Sequence, residues 1–154
     1  MSARVVEPWL LVPLEAFVRE SGARLTLIMT PAGQVLAQHG FTRAVEVMAA
    51  AALGAGIAAS TGEIVRMLEE PEFRMLNHQS KRHGVFLGRF TAPRGPLLAL
   101  VVYGADTSIG LVQLFFEDLV RDLAAATPPP APRAPVLSAD FERDLNESLA
   151  TLFR

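Results

Sequence analysis

The sequence predicts a mixed α/β domain of the α+β sandwich type, with a short helix tethered behind it. Three stretches predict it. Ala49 to Gly62 is built of small uncharged residues with only Leu53 and Ile57 for bulk, and alanine favours helix because it loses no side-chain entropy there. Leu97-Leu98-Ala99-Leu100-Val101-Val102 is continuously apolar, the pattern of a central strand covered on both faces. Thr127 to Pro135 is dominated by proline and can only be a stiff, extended connection.

The elements follow in order. Leu10, Leu14, Phe17 and Val18 fall at helical spacing, predicting a first helix over about Trp9 to Ser21. Gly22 suits its left-handed stop, and Pro13 is tolerable only in its first turn. Arg24 to Met29 and Gln34 to His39 are short strands joined by Thr30-Pro31-Ala32-Gly33, which is turn chemistry. A long helix covers about Arg43 to Glu69 and is ended by Pro71. Phe73 to Gln79, Val85 to Phe90 and Leu97 to Tyr103 read as three further strands, joined by Lys81-Arg82-His83-Gly84 and Pro93-Arg94-Gly95-Pro96. Asp106, Thr107 and Ser108 offer an N-cap to a third helix carrying Val112, Phe115, Phe116, Leu119 and Leu123 on one stripe. Beyond the linker, Ser138 can cap a last helix with Phe141, Leu145, Leu149, Leu152 and Phe153 at helical spacing. Such a helix has no core of its own and needs something to dock on. The expected organisation is an N-terminal extension over 1–8, a domain over 9–126, a linker over 127–137 and an amphipathic helix over 138–154.

With 154 residues, half of them hydrophobic, one ordinary core is within reach. The net charge of −2 and the absence of a basic block give no reason to expect nucleic acid as a partner. Without cysteine there is no disulfide and no thiolate metal site, and a cytosolic setting fits. Glu7 and Pro8 stand where a secretory segment would need an apolar core. Glu46 and Glu63 bracket an uncharged run shorter than the roughly 20 residues of a spanning helix, so no membrane span is expected.

Gly54-Ala55-Gly56-Ile57-Ala58-Ala59 matches the G-x-G-x-x-[GA] dinucleotide fingerprint, and Glu72 lies at about the right distance for a ribose ligand. The fingerprint needs a buried strand before it. Met48 to Ala52 are poor strand formers, so no cofactor is expected. His39, His78 and His83 are scattered and argue against a metal site. Ser60 and Thr61 lack the strand-turn-helix setting of a hydrolase nucleophile. Glu69, Glu70 and Glu72 read as solvated charges at a helix end, with no second acid placed to work with them. No catalytic residue is expected.

The order helix, hairpin, long helix, three strands, helix resembles the Roadblock/LC7 family over about residues 10 to 126. The resemblance is carried by Ala52-Leu53-Gly54-Ala55-Gly56-Ile57-Ala58-Ala59, by Glu70-Pro71-Glu72-Phe73, by Met75-Leu76-Asn77-His78-Gln79 and by Asp106-Thr107-Ser108-Ile109-Gly110-Leu111-Val112. Within the family it looks most like the bacterial branch that regulates a Ras-like small GTPase in cell polarity and gliding motility. The tail residues Asp140-Phe141-Glu142-Arg143-Asp144-Leu145 resemble the acidic-hydrophobic segment of that branch. The heavy proline content of the linker departs from it.

The resemblance implies a five-stranded antiparallel sheet in the order α-β-β-α-β-β-β-α. It implies a homodimer, in which third strands pair and central helices lie side by side, with Ala52, Gly56, Phe73, Met75 and Asn77 at the interface. It further implies a platform for the GTP-bound GTPase, stimulation of hydrolysis by remodelling the GTPase's own switch residues, stimulation of exchange with the C-terminal segment implicated, and a cytoplasmic protein concentrated at a cell pole. On the central helix, Leu53, Ile57, Ile64 and Leu68 form one stripe expected to face the sheet. The opposite stripe, Ala51, Ala55, Ala58, Ala59, Gly62 and Arg66, is expected to meet the GTPase, or to pack in the dimer seam. Arg66 is the one candidate arginine finger, a device worth on the order of 10³–10⁵ in rate; a docking or solvated charge is the preferred reading. Phe141, Leu145, Leu149, Leu152 and Phe153 are expected to bind a partner, a third protein included, in the manner of a helix in a groove. Two other functions fit the same residues: a scaffold that leaves hydrolysis unchanged, and a small-molecule sensor with a PAS-like pocket.

Overall fold

The computed structural model describes residues 3–129 and 135–152. The chain enters through a short strand β1 (Arg4–Val5) and a 3-10 turn (Pro8–Leu10), then helix α1 (Leu11–Ser21). Strands β2 (Leu25–Met29) and β3 (Val35–His39), helix α2 (Ala44–Met67), strands β4 (Met75–Gln79), β5 (His83–Ala92) and β6 (Gly95–Gly104), and helices α3 (Ile109–Ala126) and α4 (Pro135–Leu152) follow. Gly22 closes α1 in the left-handed region, at φ 72°, a conformation glycine adopts without steric cost. Ser108 caps α3 by accepting the Leu111 N–H.

The strands make one sheet in the order β1-β3-β2-β6-β5-β4, antiparallel at every pairing. The continuously apolar β6 is central, between β2 and β5, and is buried from Leu97 to Val101. The sheet has six strands where five are expected, because Arg4 and Val5 pair with Gln38 and Ala37 at the free edge of β3. A two-residue strand bounded by Glu7 and Pro8 carries too little pattern to be read from sequence. The connection Lys81-Arg82-His83-Gly84 is shorter than expected, since His83 and Gly84 already belong to β5. Helix α4 starts at Pro135, ahead of the expected Ser138, and proline suits a first helical position.

The two faces of the sheet are covered differently. On one, α1 and α3 pack Leu10, Leu14, Phe17, Val112, Phe116, Leu119 and Leu123 against Ile28, Phe86, Phe90 and Val101. Phe116 stands edge-on to Phe86 and Phe90, with ring centroids 5.1 and 5.7 Å away. Its ring lies over Gly88, where a Cβ would come within 2.5 Å of it. On the other face, α2 alone covers Leu27, Met29, Leu87, Leu98 and Leu100.

Candidate functional site

Helix α2 lies on the sheet through its smallest side chains. Ala51, Gly54 and Ala58 are its buried residues, flanked by half-buried Val47, Ile57 and Val65. The spacing is helical, but the phase is the reverse of that expected. Leu53 and Ile64 are 68% and 60% exposed, and Leu68 is exposed as well; of the expected sheet-facing stripe only Ile57 reaches the core. The physical reason is volume. The strands supply bulky residues on this face, so the helix can approach only with small ones: a Cβ on Gly54 would sit 2.8 Å from Met29 Cε and 3.6 Å from Leu100 Cδ2. Close packing, not side-chain hydrophobicity, selects the inner stripe. Ala51 and Ala58, expected on a partner-binding surface, are instead core residues.

The outward side of α2 is therefore apolar and large. Val45, Met48, Leu53, Ile64 and Met67 are all exposed there. By length and composition alone, the 24-residue helix could cross a membrane; here it is an element of a folded domain, seated on β2 and β6. A helix apolar all round calls for cover on every side, and this one has cover on one.

Between α2 and β4 runs an open groove of about 500 Å³, walled by Leu53, Gly56, Ile57 and Ile64 from the helix and by Leu76 and His78 from the strand. Ala52, Ser60 and Thr61 complete its helical wall. β4 is the last strand of the sheet. Arg89 N–H donates to Arg74 O and Ser80 N–H to His83 O, so alternation directs the N–H and C=O groups of Met75, Asn77 and Gln79 to the open edge. The Asn77 side chain is fixed from behind by Tyr103, whose hydroxyl donates to Oδ1 at 3.0 Å.

The expected dimer residues thus come together in part. Ala52 and Gly56 line the groove and Met75 and Asn77 sit on the strand that bounds it, whereas Phe73 is buried beneath α2. Ala55, Ala59, Gly62 and Arg66 follow one another along a different flank of α2, where Ala55 Cβ lies 3.6 Å from the Cβ position of Gly33 in the β2–β3 turn. Arg66 is exposed and pairs with Glu63 at 2.7 Å. Glu72 pairs with Arg89 at 3.3 Å, and His83 Nε2 stands 3.2 Å from Arg24. The fingerprint-like glycines lie inside α2, not in a turn. Leu53, Ile64 and Leu68, assigned to the sheet by their spacing, are surface residues, and so is Met67, which no sequence pattern singled out. On α4, Leu145, Leu149 and Leu152 are exposed; Phe141 falls within the helix, and Phe153 lies outside the described residues.

The Roadblock/LC7 domain model matches residues 11–103, from the start of α1 to the end of β6. The chain belongs to the Roadblock/LC7 family. The fold is similar to that of Myxococcus xanthus MglB, with a TM-score of 0.69 at 19% identity, covering 78% of this chain and 95% of that one. It is also similar to the gliding protein MglB of Thermus thermophilus, with a TM-score of 0.67 at 27% identity over 77% and 87% of the two chains. An MglB solved in a tetrameric arrangement gives the same TM-score of 0.67, at 27% identity over 76% and 86% of the chains. No curated protein matches the chain by sequence. The Roadblock domain and its MglB-like neighbours are regulatory folds, and the chain is a Roadblock-type regulator. β1 lies ahead of the matched segment, and α3 and α4 lie behind it.

Proposed function

We propose that this Roadblock protein is a homodimeric regulator of a bacterial Ras-like small GTPase of the MglA type, stimulating GTP hydrolysis and nucleotide exchange without an active site of its own. The observation that carries the proposal is the outward face of α2: large, apolar and exposed, beside an open strand edge. Two copies related by a two-fold axis satisfy both needs at once. β4 of each copy pairs with its twin through Met75 and Asn77, and the α2 helices close over the groove at Ala52, Leu53 and Gly56. The flank bearing Ala55, Ala59, Gly62 and Arg66 then remains for the GTP-bound GTPase. The likeness to MglB supports this assignment of partners.

Arg66 is a docking charge in this scheme, held by Glu63, and the catalytic groups belong to the GTPase. The exposed stripe Leu145, Leu149 and Leu152 of α4, with Phe141 and Phe153, takes the tail to the GTPase or to a third protein. The protein acts in the cytoplasm, at a cell pole.

The test mixes the full chain with a Ras-like GTPase from the same source and follows GTP turnover and complex formation. Turnover rises, and Ala55→Arg abolishes binding while leaving a native dimer. Binding at an unchanged rate makes the protein a scaffold, and no binding removes the GTPase altogether. Truncation after Thr127 leaves a folded dimer and alters exchange or polar recruitment; loss of the fold would place α4 in the core.

A further inference from the structure

At the opposite end of the sheet from the β4–β5 turn, the N-terminal segment closes over a cavity of about 370 Å³. We propose that this cavity binds a neutral, apolar molecule of one or two fused rings. The proposal is independent of the GTPase and of the α2 surface. Three observations support it. The walls are rigid rings and aliphatic chains: Trp9 from the 3-10 turn, Pro31 from the β2–β3 turn, Pro96 from β6, and Leu36 and Leu97 from the sheet. The polar groups in the wall are already matched. Arg94 Nη1 donates to both Glu7 oxygens, at 3.1 and 2.9 Å, and the Trp9 indole N–H donates to Glu7. A charged ligand would have to break that pair, whereas a neutral one leaves it intact and meets the indole, the proline rings and the leucine side chains. The size lies within the roughly 300–1,000 Å³ of small-molecule sites, at the end suited to a compact ligand.

Arg94 fixes the rim of the cavity without filling it. Its guanidinium carbon stands 5.7 Å from the Trp9 ring centroid, and Nη2 reaches the Pro128 carbonyl at 3.5 Å. One side chain therefore ties the N-terminal segment, the tip of the β5–β6 hairpin and the start of the linker around the same opening.

Trp9 is the only tryptophan in the chain; it lines this cavity and also a shallow groove with Val12 and Pro13, so the cavity-filling variants are what assign a change in its emission to the cavity. The test titrates the full-length protein with 1-naphthylamine, a neutral aromatic probe of two fused rings that accepts energy from indole. The expected result is saturable quenching of Trp9 with one probe per chain. Ala92→Leu and Leu36→Phe each fill the cavity and weaken binding about tenfold or more, a loss of about 1.4 kcal/mol or more. Leu53→Glu, on α2, leaves it unchanged. With two filling variants, the test stands even if one of them fails to fold. Absence of saturable quenching overturns the proposal. So does quenching that survives in every filled variant that folds, or that disappears with Leu53→Glu.

Discussion

The two layers that cover the sheet are opposites. The α1/α3 layer meets it with Phe17, Phe116, Leu119 and Leu123, all buried, and leaves Val12, Leu111 and Leu114 exposed outside. The α2 layer meets it with two alanines and a glycine and carries its large residues on the outer side. In the first layer, hydrophobic area is used to hold the chain together. In the second, little area is buried per residue and much is left over for another molecule. On the proposed function, stability and recognition fall to different faces of one sheet, and changes on one face should leave the property of the other alone.

The strongest way to break that division is Phe116→Ala. It empties the space between Phe86, Phe90 and Gly88 and should cost about 3–5 kcal/mol, seen as a large drop in melting temperature. A small drop would mean that the α1/α3 layer is not the stabilising one. Next comes Leu53→Glu, expected to abolish self-association in light scattering while the circular dichroism stays native. Unfolding instead would show that the outer face of α2 contributes to the core. Gly54→Ala sharpens the contrast with a smaller effect. The added methyl meets the flexible end of Met29, and helix propensity returns up to about 1 kcal/mol. Thermal unfolding should shift by no more than a few degrees; Gly88→Ala, against a rigid ring, should destabilise clearly. Arg66→Ala should do least, with stability within about 0.5 kcal/mol and stimulation of GTP hydrolysis retained. Near-complete loss of stimulation with binding intact would make Arg66 an arginine finger.

The same contrast explains what was legible in the sequence. The order of helices and strands was, because each core element carries its own apolar pattern: Val112, Phe116, Leu119 and Leu123 at helical spacing along α3, and an unbroken run from Leu97 to Val102 along β6. In the α1/α3 layer the largest residues mark the inner face, so periodicity suffices. In α2 that rule inverts. Leu53 and Ile64 outweigh Ala51 and Ala58 on any hydrophobic scale, and the closeness of Met29 and Leu100, which excludes them, is set by strands far away in the chain. The flank of Ala55, Ala59, Gly62 and Arg66 was readable as a row, but Ala51 and Ala58 were not separable from it without knowing the tilt of the helix on the sheet. β1 and the Trp9 cavity depend on contacts between the first residues of the chain and segments far along it, and no local pattern announces such contacts.

The open edge of β4 bears on how the protein must be made. A strand that offers Met75, Asn77 and Gln79 to its surroundings will accept any extended chain, not only its twin. In the proposed dimer, a freshly synthesised copy is therefore at its most hazardous before it meets its twin. Lys81 and Arg82 lie one residue beyond the strand, and charges so placed act as gatekeepers, since like charges oppose the in-register stacking of many copies. In the proposed dimer, the sequence around β4 would thus favour an association that stops at a closed number over one that continues without end.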